Sequence, residues 1–372
     1  GFSIVDTNGV LKKQEIIRLG YLIDNNLDKN IAMCFHSHNN LQLSFSNAQY
    51  LMDICKNHEL IIDSTIFGMG RGAGNLCTEL ITQYINDNYD GNYNIVPILK
   101  VIDEQINPIF SKTPWGYSVP YYLAATNHCH PNYAKYLVDK QTVPIEIINK
   151  LLKSIPNEKK SEYNANLIKQ IYLDNFSKQI DDKPILEKLK NILSNKKILI
   201  LAPGKSLSSE METVNAFIKK EKPYIVSLNF IPQNYDIDIA FISNLKRFSS
   251  LINCDKKLLI ISNIDNIQEN ADVINYSYYL NNSEMYDNTA LMFIKLLIKI
   301  NIKEVYIAGL DGFNKISTEN YVSTNLINSV GINESDKRNI IMSKELKKFS
   351  KDIKLQFITN TQYSFNVQYY NH

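Results

Sequence analysis

The segment Ile31-Ala32-Met33-Cys34-Phe35-His36-Ser37-His38-Asn39-Asn40 decides how the first part of this chain is interpreted. Its apolar run predicts a short buried strand over Ile31–Phe35, and a polar motif follows at once. Because side chains two apart on a strand point the same way, His36 and His38 can present both rings to one point. That geometry suits a divalent metal bound through neutral imidazole nitrogens, with further ligands from elsewhere. The alternative is two histidines that are hydrogen-bonded at a strand end without a metal.

A second motif, Gly68-Met69-Gly70-Arg71-Gly72-Ala73-Gly74-Asn75, follows the predicted strand Leu60–Asp63. Glycine occupies every second position from 68 to 74, and each glycine costs backbone entropy that a plain turn would not require. Such a loop lets main-chain amides approach a ligand or metal closely, and we expect Gly70, Gly72 and Gly74 to serve this purpose. The alternative is tight packing between the strand and the helix behind it.

The order strand, loop, helix occurs three times in residues 1–92, with short connections. The predicted strands are Phe2–Asp6, Ile31–Phe35 and Leu60–Asp63, and the predicted helices are 11–26, Leu43–Lys56 and Asn75–Ile85. This repeat indicates a parallel α/β layer. Sites in such folds lie at the carboxyl ends of strands, which is where Asp6, both histidines and the glycine loop fall.

The remainder of the chain divides by composition into three parts. Residues 93–180 are predicted to be helical and contain the aromatic stretch Trp115–Tyr122 and the motif His128-Cys129-His130. Residues 181–196 read as a charged linker helix. Residues 197–372 are predicted to form a separate α/β domain with six strands, at Lys197–Ala202, Tyr224–Leu228, Ile239–Ile242, Leu258–Ile261, Glu304–Ala308 and Leu355–Ile358.

Composition excludes several classes of function. The formal net charge of +2 gives no reason to expect nucleic acid or an anionic membrane as a partner. No run approaches the ~18 apolar residues of a membrane span. The five cysteines are scattered and odd in number, which predicts reduced thiols in a cytoplasm. The pattern gives no oligomeric state.

Four pieces of sequence together resemble one family, the metal-dependent aldolases and lyases with a TIM-barrel fold. They are Asp6-Thr7-Asn8-Gly9, His36-Ser37-His38-Asn39-Asn40-Leu41, Asp63-Ser64-Thr65, and Gly68–Asn75 with Thr78-Glu79. The family includes 4-hydroxy-2-oxovalerate aldolase and hydroxymethylglutaryl-CoA lyase. The aldolase branch is the more similar, because its histidine motif ends in Asn-Leu, as Asn40-Leu41 does here. The resemblance implies strands six to eight of a barrel over residues 1–92, followed by a helical extension over residues 93–180.

The resemblance also implies a site and a reaction. Mn²⁺ or Mg²⁺ would be held by His36, His38 and Asn75, and would polarise a 2-oxo acid while a carbon–carbon bond breaks or forms. A tyrosine of the helical region donates a proton in the aldolases, and Tyr117 and Tyr121 are both candidates. The family's barrels open with a strand carrying an arginine and an aspartate ligand, which this sequence lacks. Since three of eight units cannot close a barrel, we expect this chain to be the later part of a longer protein.

The last domain carries a weaker resemblance, to bacterial lipooligosaccharide sialyltransferases and related nucleotide-binding domains. It depends on the glycine turn Gly204-Lys205-Ser206, on Ser227-Leu228-Asn229-Phe230 and on Tyr306–Phe313. A P-loop is excluded because Leu199 stands where its first glycine would be. The turn is either an ordinary βα turn or a phosphate site at a helix start. The resemblance implies a nucleotide or nucleotide sugar near Gly204, Lys205, Ser206, Asn229 and Asp311.

Two functions follow as hypotheses. The first is a divalent-metal-dependent aldolase or lyase acting on a 2-oxo acid, fused to a Rossmann-like domain and serving the synthesis of a surface sugar acid. The second is a nucleotide-sugar-binding or glycosyltransferase-like protein with an inactive barrel remnant. The family's histidine base after the Gly-Leu-Asp segment is replaced here by Glu334-Ser335-Asp336, which argues against an active sialyltransferase.

Overall fold

The chain divides into two compact α/β units. A computed structural model describes residues 1–140, 142–175, 178–249, 251, 254–264, 271–280, 287–316, 319–323, 326, 332–363 and 368–370. The first unit comprises Gly1–Lys140 and Ile145–Ile171, and the second comprises Gln141–Pro144 and Tyr172–His372. None of the described helices is long and apolar enough to cross a membrane.

The first unit opens with three parallel strands and three helices, as the repeat in the sequence predicts. The strands pair in the order β1-β2-β3, so that Ile4 lies opposite Phe35 and Phe35 opposite Ile62. These elements are β1 (Phe2–Asp6), α1 (Lys13–Asn26), β2 (Met33–Ser37), α2 (Ser44–Ile54), β3 (Leu60–Ile62) and α3 (Thr78–Asn88). Strand β2 begins and ends two residues later than the apolar run indicates, because its pairing with β1 continues to Asp6 and Ser37.

The two faces of this small sheet differ in their environment. Ile4, Met33 and Phe35 on one face are buried in a core with residues of α1 and α2, such as Ile16 and Leu51. On the other face Val5 is 54% exposed and Ile61 43% exposed. Parallel sheets ordinarily have both faces covered, so this open face is unusual.

Residues 93–175 are helical for the most part. Four of these helices have a proline in their first turn, where a missing N–H leaves no hydrogen bond broken. The helices are α4 (Val96–Val101), a π-helix (Ile102–Ile106), α5 (Asn107–Phe110), α6 (Val119–Thr126), α7 (Pro131–Asp139), α8 (Ile145–Lys153) and α9 (Ala165–Asn175). Short 3-10 helices lie at Ile66–Gly68 and Asn157–Lys159.

The second unit contains a sheet of eight parallel strands in the order β11-β10-β9-β4-β5-β6-β7-β8. Its strands are β4 (Ile198–Leu201), β5 (Tyr224–Leu228), β6 (Ile239–Ile242), β7 (Leu258–Ile261), β8 (Ala271–Ile274), β9 (Glu304–Ala308), β10 (Lys354–Phe357) and β11 (Gln368–Tyr369). Its helices are α10 (Lys183–Leu193), α11 (Ser206–Ser209), α12 (Met211–Glu221), α13 (Leu245–Ser249), α14 (Tyr276–Tyr279), α15 (Thr289–Lys299) and α16 (Ile332–Phe349).

The order of these strands fixes where a ligand site would fall in the second unit. The chain moves outward from β4 to β8 and then returns to place β9 on the other side of β4. Ligands of open α/β sheets bind where the strand order reverses, at the carboxyl ends of the two strands concerned. In this sheet those ends carry Gly204-Lys205-Ser206 after β4 and Asp311 after β9. The sequence analysis missed β8 and β11, because the first has a mixed composition and the second has two residues.

Candidate metal site and glycine loop

The two histidines lie together at the carboxyl end of β2. Their ring centroids are 5.4 Å apart, and the rings are nearly perpendicular at 88°. The Nδ1 atom of His36 lies 3.3 Å from the Oδ2 atom of Asp63, directly after β3. A carboxylate at this position would leave Nε2 as the metal-binding nitrogen if it accepted the Nδ1 proton, an arrangement common around protein-bound metals. Burial and the neighbouring His36 lower the pKa of His38, which favours the neutral ring that binds metals.

Asn75 is brought to the histidines by backbone pairing. It forms an isolated antiparallel β-bridge with His38, and the N–H of Asn39 donates to the carbonyl of Gly74 at 2.9 Å. The Nδ2 of Asn75 donates to the carbonyl of Met69 at 3.3 Å. The Oδ1 of Asn75 is buried and accepts no hydrogen bond from any described residue. An unsatisfied buried oxygen costs about 1–3 kcal/mol, and a cation bound there would remove that penalty.

The glycines of the loop are required by close contacts as well as by backbone conformation. Gly72 and Gly74 have φ of +66° and +79°. A Cβ on Gly70 would lie 2.8 Å from Asn75 Nδ2, and one on Gly74 would lie 2.4 Å from the carbonyl oxygen of Gly68. The loop therefore packs tightly on itself. In doing so it also makes room for the side chain of Asn75.

Aromatic residues of the helical region support the loop from outside. The indole N–H of Trp115 donates to the carbonyl of Phe67 at 2.9 Å. The N–H of Gly116 donates to the carbonyl of Gly72 at 3.0 Å. A Cβ on Gly72 would lie 3.1 Å from the ring of Tyr121, so this ring packs on the loop. Of the two tyrosine candidates, Tyr121 is in contact with the loop, whereas the side chain of Tyr117 is 57% exposed.

Asp6 and Asn40 are both buried beside the histidine motif. The carboxylate of Asp6 accepts the N–H groups of Val10 and Leu11 at 2.9 and 3.0 Å, so it holds its own loop in place. Burial raises the pKa of this carboxyl. The carbonyl of Asp6 accepts the N–H of His38 at 3.2 Å. The Nδ2 of Asn40 has no hydrogen-bond acceptor among the described residues.

The residues predicted to bind a nucleotide phosphate make contacts with one another. The N–H of Ser206 donates to Asp311 Oδ2 at 2.8 Å, and its hydroxyl also hydrogen-bonds this carboxylate. Gly204 allows this approach, because a Cβ there would lie 2.5 Å from Asp311 Cγ. Lys205 is exposed. An amide that a phosphate would use therefore already has an internal acceptor, and α11 behind it has four residues.

Asn229 connects three elements of the second unit at the carboxyl ends of β5 and β6. Its Oδ1 accepts the N–H of Ser243 at 2.9 Å and that of Asn244 at 3.2 Å, and its Nδ2 donates to Thr289 at the start of α15. Asn263, after β7, is 9% exposed, and its Oδ1 accepts no hydrogen bond from the described residues. The sequence analysis missed Ser243, Asn244 and Asn263, although each lies within two residues of the end of an apolar strand.

Comparison with known proteins gives a distant relationship. No protein-family model matches the chain. Over 116 residues the chain is 25% identical to the oxaloacetate decarboxylase of Mycobacterium tuberculosis (strain ATCC 25618 / H37Rv), a match that covers 31% of this chain and 32% of that enzyme. The chain thus spans about a third of the length of this curated relative.

A solved structure is also similar to this chain. It is the crystal structure of the N-terminal domain of a Bacteroides vulgatus protein assigned to the aldolases. The sequences are 33% identical, the alignment covers 40% of this chain and 47% of that chain, and the TM-score is 0.34. The barrel is a prediction from the sequence motifs.

Proposed function

We propose that the first unit carries the metal site of a lyase that acts on a 2-oxo acid. His36, His38 and Asn75 are the proposed protein ligands. The observation that carries this proposal is the buried Oδ1 of Asn75, which has no donor among the described residues and belongs to a residue paired with His38. Two imidazoles and an amide oxygen are donor types that first-row divalent ions accept.

The chemistry of these donors favours Mn²⁺ over Mg²⁺. Mg²⁺ prefers oxygen ligands in a strict octahedron, whereas first-row transition ions accept imidazole nitrogen readily. In the described part of the chain no three His, Cys, Asp or Glu side chains converge as a metal-binding group. The proposed set is therefore two nitrogens and one amide oxygen, and the remaining positions are left for water, substrate or further protein ligands.

The open face of the three-stranded sheet supports the same proposal. Strand residues alternate between faces, so His36 shares the exposed face with Val5, its partner in β1. In a TIM barrel the corresponding face is the barrel interior, and the catalytic groups lie at its carboxyl-terminal end. Part of a barrel would present such a face, which is apolar, exposed and carries the candidate ligands.

The residues around the ligands have distinct roles in this proposal. A bound divalent ion would polarise the carbonyl group of the 2-oxo acid. Asp63 holds the ring of His36 through Nδ1. Tyr121, packed on Gly72, is the proposed proton donor, and Trp115 holds the loop through the carbonyl of Phe67. Asn40 is proposed to donate a hydrogen bond to the substrate, since its Nδ2 has no acceptor among the described residues.

Pyruvate release tests the proposed reaction. Cleavage of oxaloacetate or of a 4-hydroxy-2-oxo acid at the bond beyond C3 gives pyruvate, so one coupled assay follows both. We expect Mn²⁺-dependent release that EDTA abolishes, that added Mn²⁺ restores, and that falls by about a hundredfold in Asn75→Ala because one ligand is lost. Asn26→Ala, on the exposed surface of α1, is the control. Release that survives EDTA, or no release with Mn²⁺ present, contradicts the proposal.

A second candidate function, nucleotide binding by the second unit, is supported by the buried Oδ1 of Asn263. We expect Asn263→Ala to weaken binding of a cytidine or uridine nucleotide by about tenfold, because a nucleotide donor would lose its acceptor. Stability should change little, since no described residue hydrogen-bonds this atom. Asn229→Ala should instead lower stability, because its side chain links three elements. Unchanged nucleotide affinity in Asn263→Ala, or no nucleotide binding at all, contradicts this second function.

A further inference from the structure

Phe67, directly before the glycine loop, has a backbone conformation that phenylalanine rarely adopts. Its φ is +55° and its ψ is +26°, and Gly68 after it also has a positive φ, of +60°. The chain therefore makes two left-handed residues in succession, of which only the second is a glycine. A bulky L residue is strained in this region and persists there only where the surrounding structure holds it.

The backbone of Phe67 is held on both sides by side chains from elsewhere in the unit. Its N–H donates to the carboxylate of Glu79, in the first turn of α3, at 3.0 Å. Its carbonyl accepts the indole N–H of Trp115 at 2.9 Å. A hydrogen bond to a carboxylate is stronger than one between neutral groups. Glu79 and Trp115 thus hold the two peptide groups of Phe67 in the orientation that the left-handed conformation gives them.

The ring of Phe67 belongs to an aromatic cluster with two residues of the helical region. Its centroid lies 5.3 Å from that of Phe110 and 6.2 Å from that of Trp115, and both contacts are edge to face. Phe110 and Trp115 also contact each other edge to face, at 4.9 Å. Such pairs are favourable beyond the area that they bury. A glycine would be unstrained at this position, but it would not attach the loop to the helical region.

The two residues after Phe67 hold Asn75. The carbonyl of Gly68 accepts the backbone N–H of Asn75 at 3.0 Å. The carbonyl of Met69 accepts its Nδ2 at 3.3 Å. Because the amide nitrogen is bound in this way, the direction of Oδ1 depends on where these two carbonyls point. An extended conformation at Phe67 would redirect the segment after it, and the Oδ1 of Asn75 with it.

We propose that Phe67 is a positioning residue for the metal site: its left-handed conformation, held by Glu79 and Trp115, orients the Oδ1 of Asn75 toward the cation. The inference rests on the proposed function and adds to it residues that need not touch the metal. Glu79 and Trp115 act through Phe67, and Phe67 acts through Asn75. Loss of a group that orients a metal ligand costs about 10- to 100-fold in metal affinity.

Mn²⁺ titration of the full chain, followed by electron paramagnetic resonance, tests this positioning. Glu79→Ala removes the acceptor and should weaken Mn²⁺ binding by about tenfold. Glu79→Gln should stay within about twofold of the wild type, because its amide oxygen also accepts the N–H of Phe67. Trp115→Phe keeps an aromatic ring but loses the N–H donor, so it should also weaken binding by about tenfold. It serves as the second variant if thermal unfolding shows that Glu79→Ala is misfolded.

A double-mutant cycle with Asn75→Ala decides whether these residues act through the ligand. In that background, Glu79→Ala or Trp115→Phe should weaken Mn²⁺ binding by no more than about twofold, because the oxygen that they orient is gone. Glu15→Ala is the matched control. Glu15 lies in the first turn of α1, and its carboxylate accepts the N–H of Lys12 at 2.9 Å. This variant loses the same kind of hydrogen bond at a helix start and should keep the wild-type Mn²⁺ affinity.

Wild-type Mn²⁺ affinity in folded Glu79→Ala and Trp115→Phe variants overturns the inference. A further loss of about tenfold in the Asn75→Ala background also overturns it, because the effects would then be independent of the ligand. Both outcomes leave the proposed metal site intact. Absence of Mn²⁺ binding in the wild-type chain contradicts the proposed function instead, and this inference with it.

Discussion

Replacing His38 by alanine is expected to weaken Mn²⁺ binding by at least about a hundredfold. The variant removes an imidazole ligand, whereas loss of groups that merely orient a ligand already costs about 10- to 100-fold. His38 also lies at the point where β2 meets the glycine loop, in the bridge with Asn75. That bridge uses backbone atoms, so the side-chain substitution should leave the loop in place. Electron paramagnetic resonance of free Mn²⁺ in equilibrium titrations measures the change.

His58→Ala is the matched control for this measurement. His58 belongs to the same unit, and its ring nitrogens lie 2.9 Å from the carbonyl of Ile31 and 3.2 Å from that of Asp24. Its loss should leave Mn²⁺ affinity unchanged and lower stability slightly. Thermal unfolding followed by circular dichroism shows whether either variant is misfolded. Equal Mn²⁺ affinity in wild type and in a folded His38→Ala variant would remove His38 from the site.

Gly309→Ala is expected to destabilise the second unit by about 3 kcal/mol or more. Gly309 follows β9 with φ of +74°, where an L side chain is strained. A Cβ there would lie 2.0 Å from the carbonyl oxygen of Ala202 and 2.7 Å from Leu207 Cγ. These atoms belong to the backbone and to a buried side chain, so no flexible side chain can move away to relieve the clash. The substitution therefore separates β4 from β9 at the point where the strand order reverses.

Urea unfolding followed by far-ultraviolet circular dichroism measures this loss. Trp115 is the one tryptophan of the chain and lies in the first unit, so its fluorescence should keep the wild-type midpoint. Gly116→Ala is the control for backbone strain alone, since its φ is +116° and nothing lies within 4 Å of a Cβ there. It should cost about 1–3 kcal/mol, because an L side chain is strained at this φ even where space is free. A Gly309→Ala midpoint within error of the wild type would refute the steric argument.

The sequence predicted the strands well wherever a single apolar run forms the whole strand. The strands of the first unit and six strands of the second are close to where their apolar runs indicate. The failures were β8 and β11. Their residues are not distinctive, and their strand conformation depends on hydrogen bonds to β7 and β10. Edge strands of this kind are specified by their neighbours more than by their own composition.

By itself, the sequence determined which polar groups end the strands: the pair His36 and His38, the glycine loop and Asn75. It could do so because strand spacing and glycine conformation are local properties. Only the tertiary structure decided that Asp63 lies beside His36, that Tyr121 rather than Tyr117 packs on the loop, and that Asp311 reaches Ser206. These contacts join residues from 27 to 105 positions apart. These contacts form because of how strands and helices pack, and a local sequence pattern contains no information about that packing.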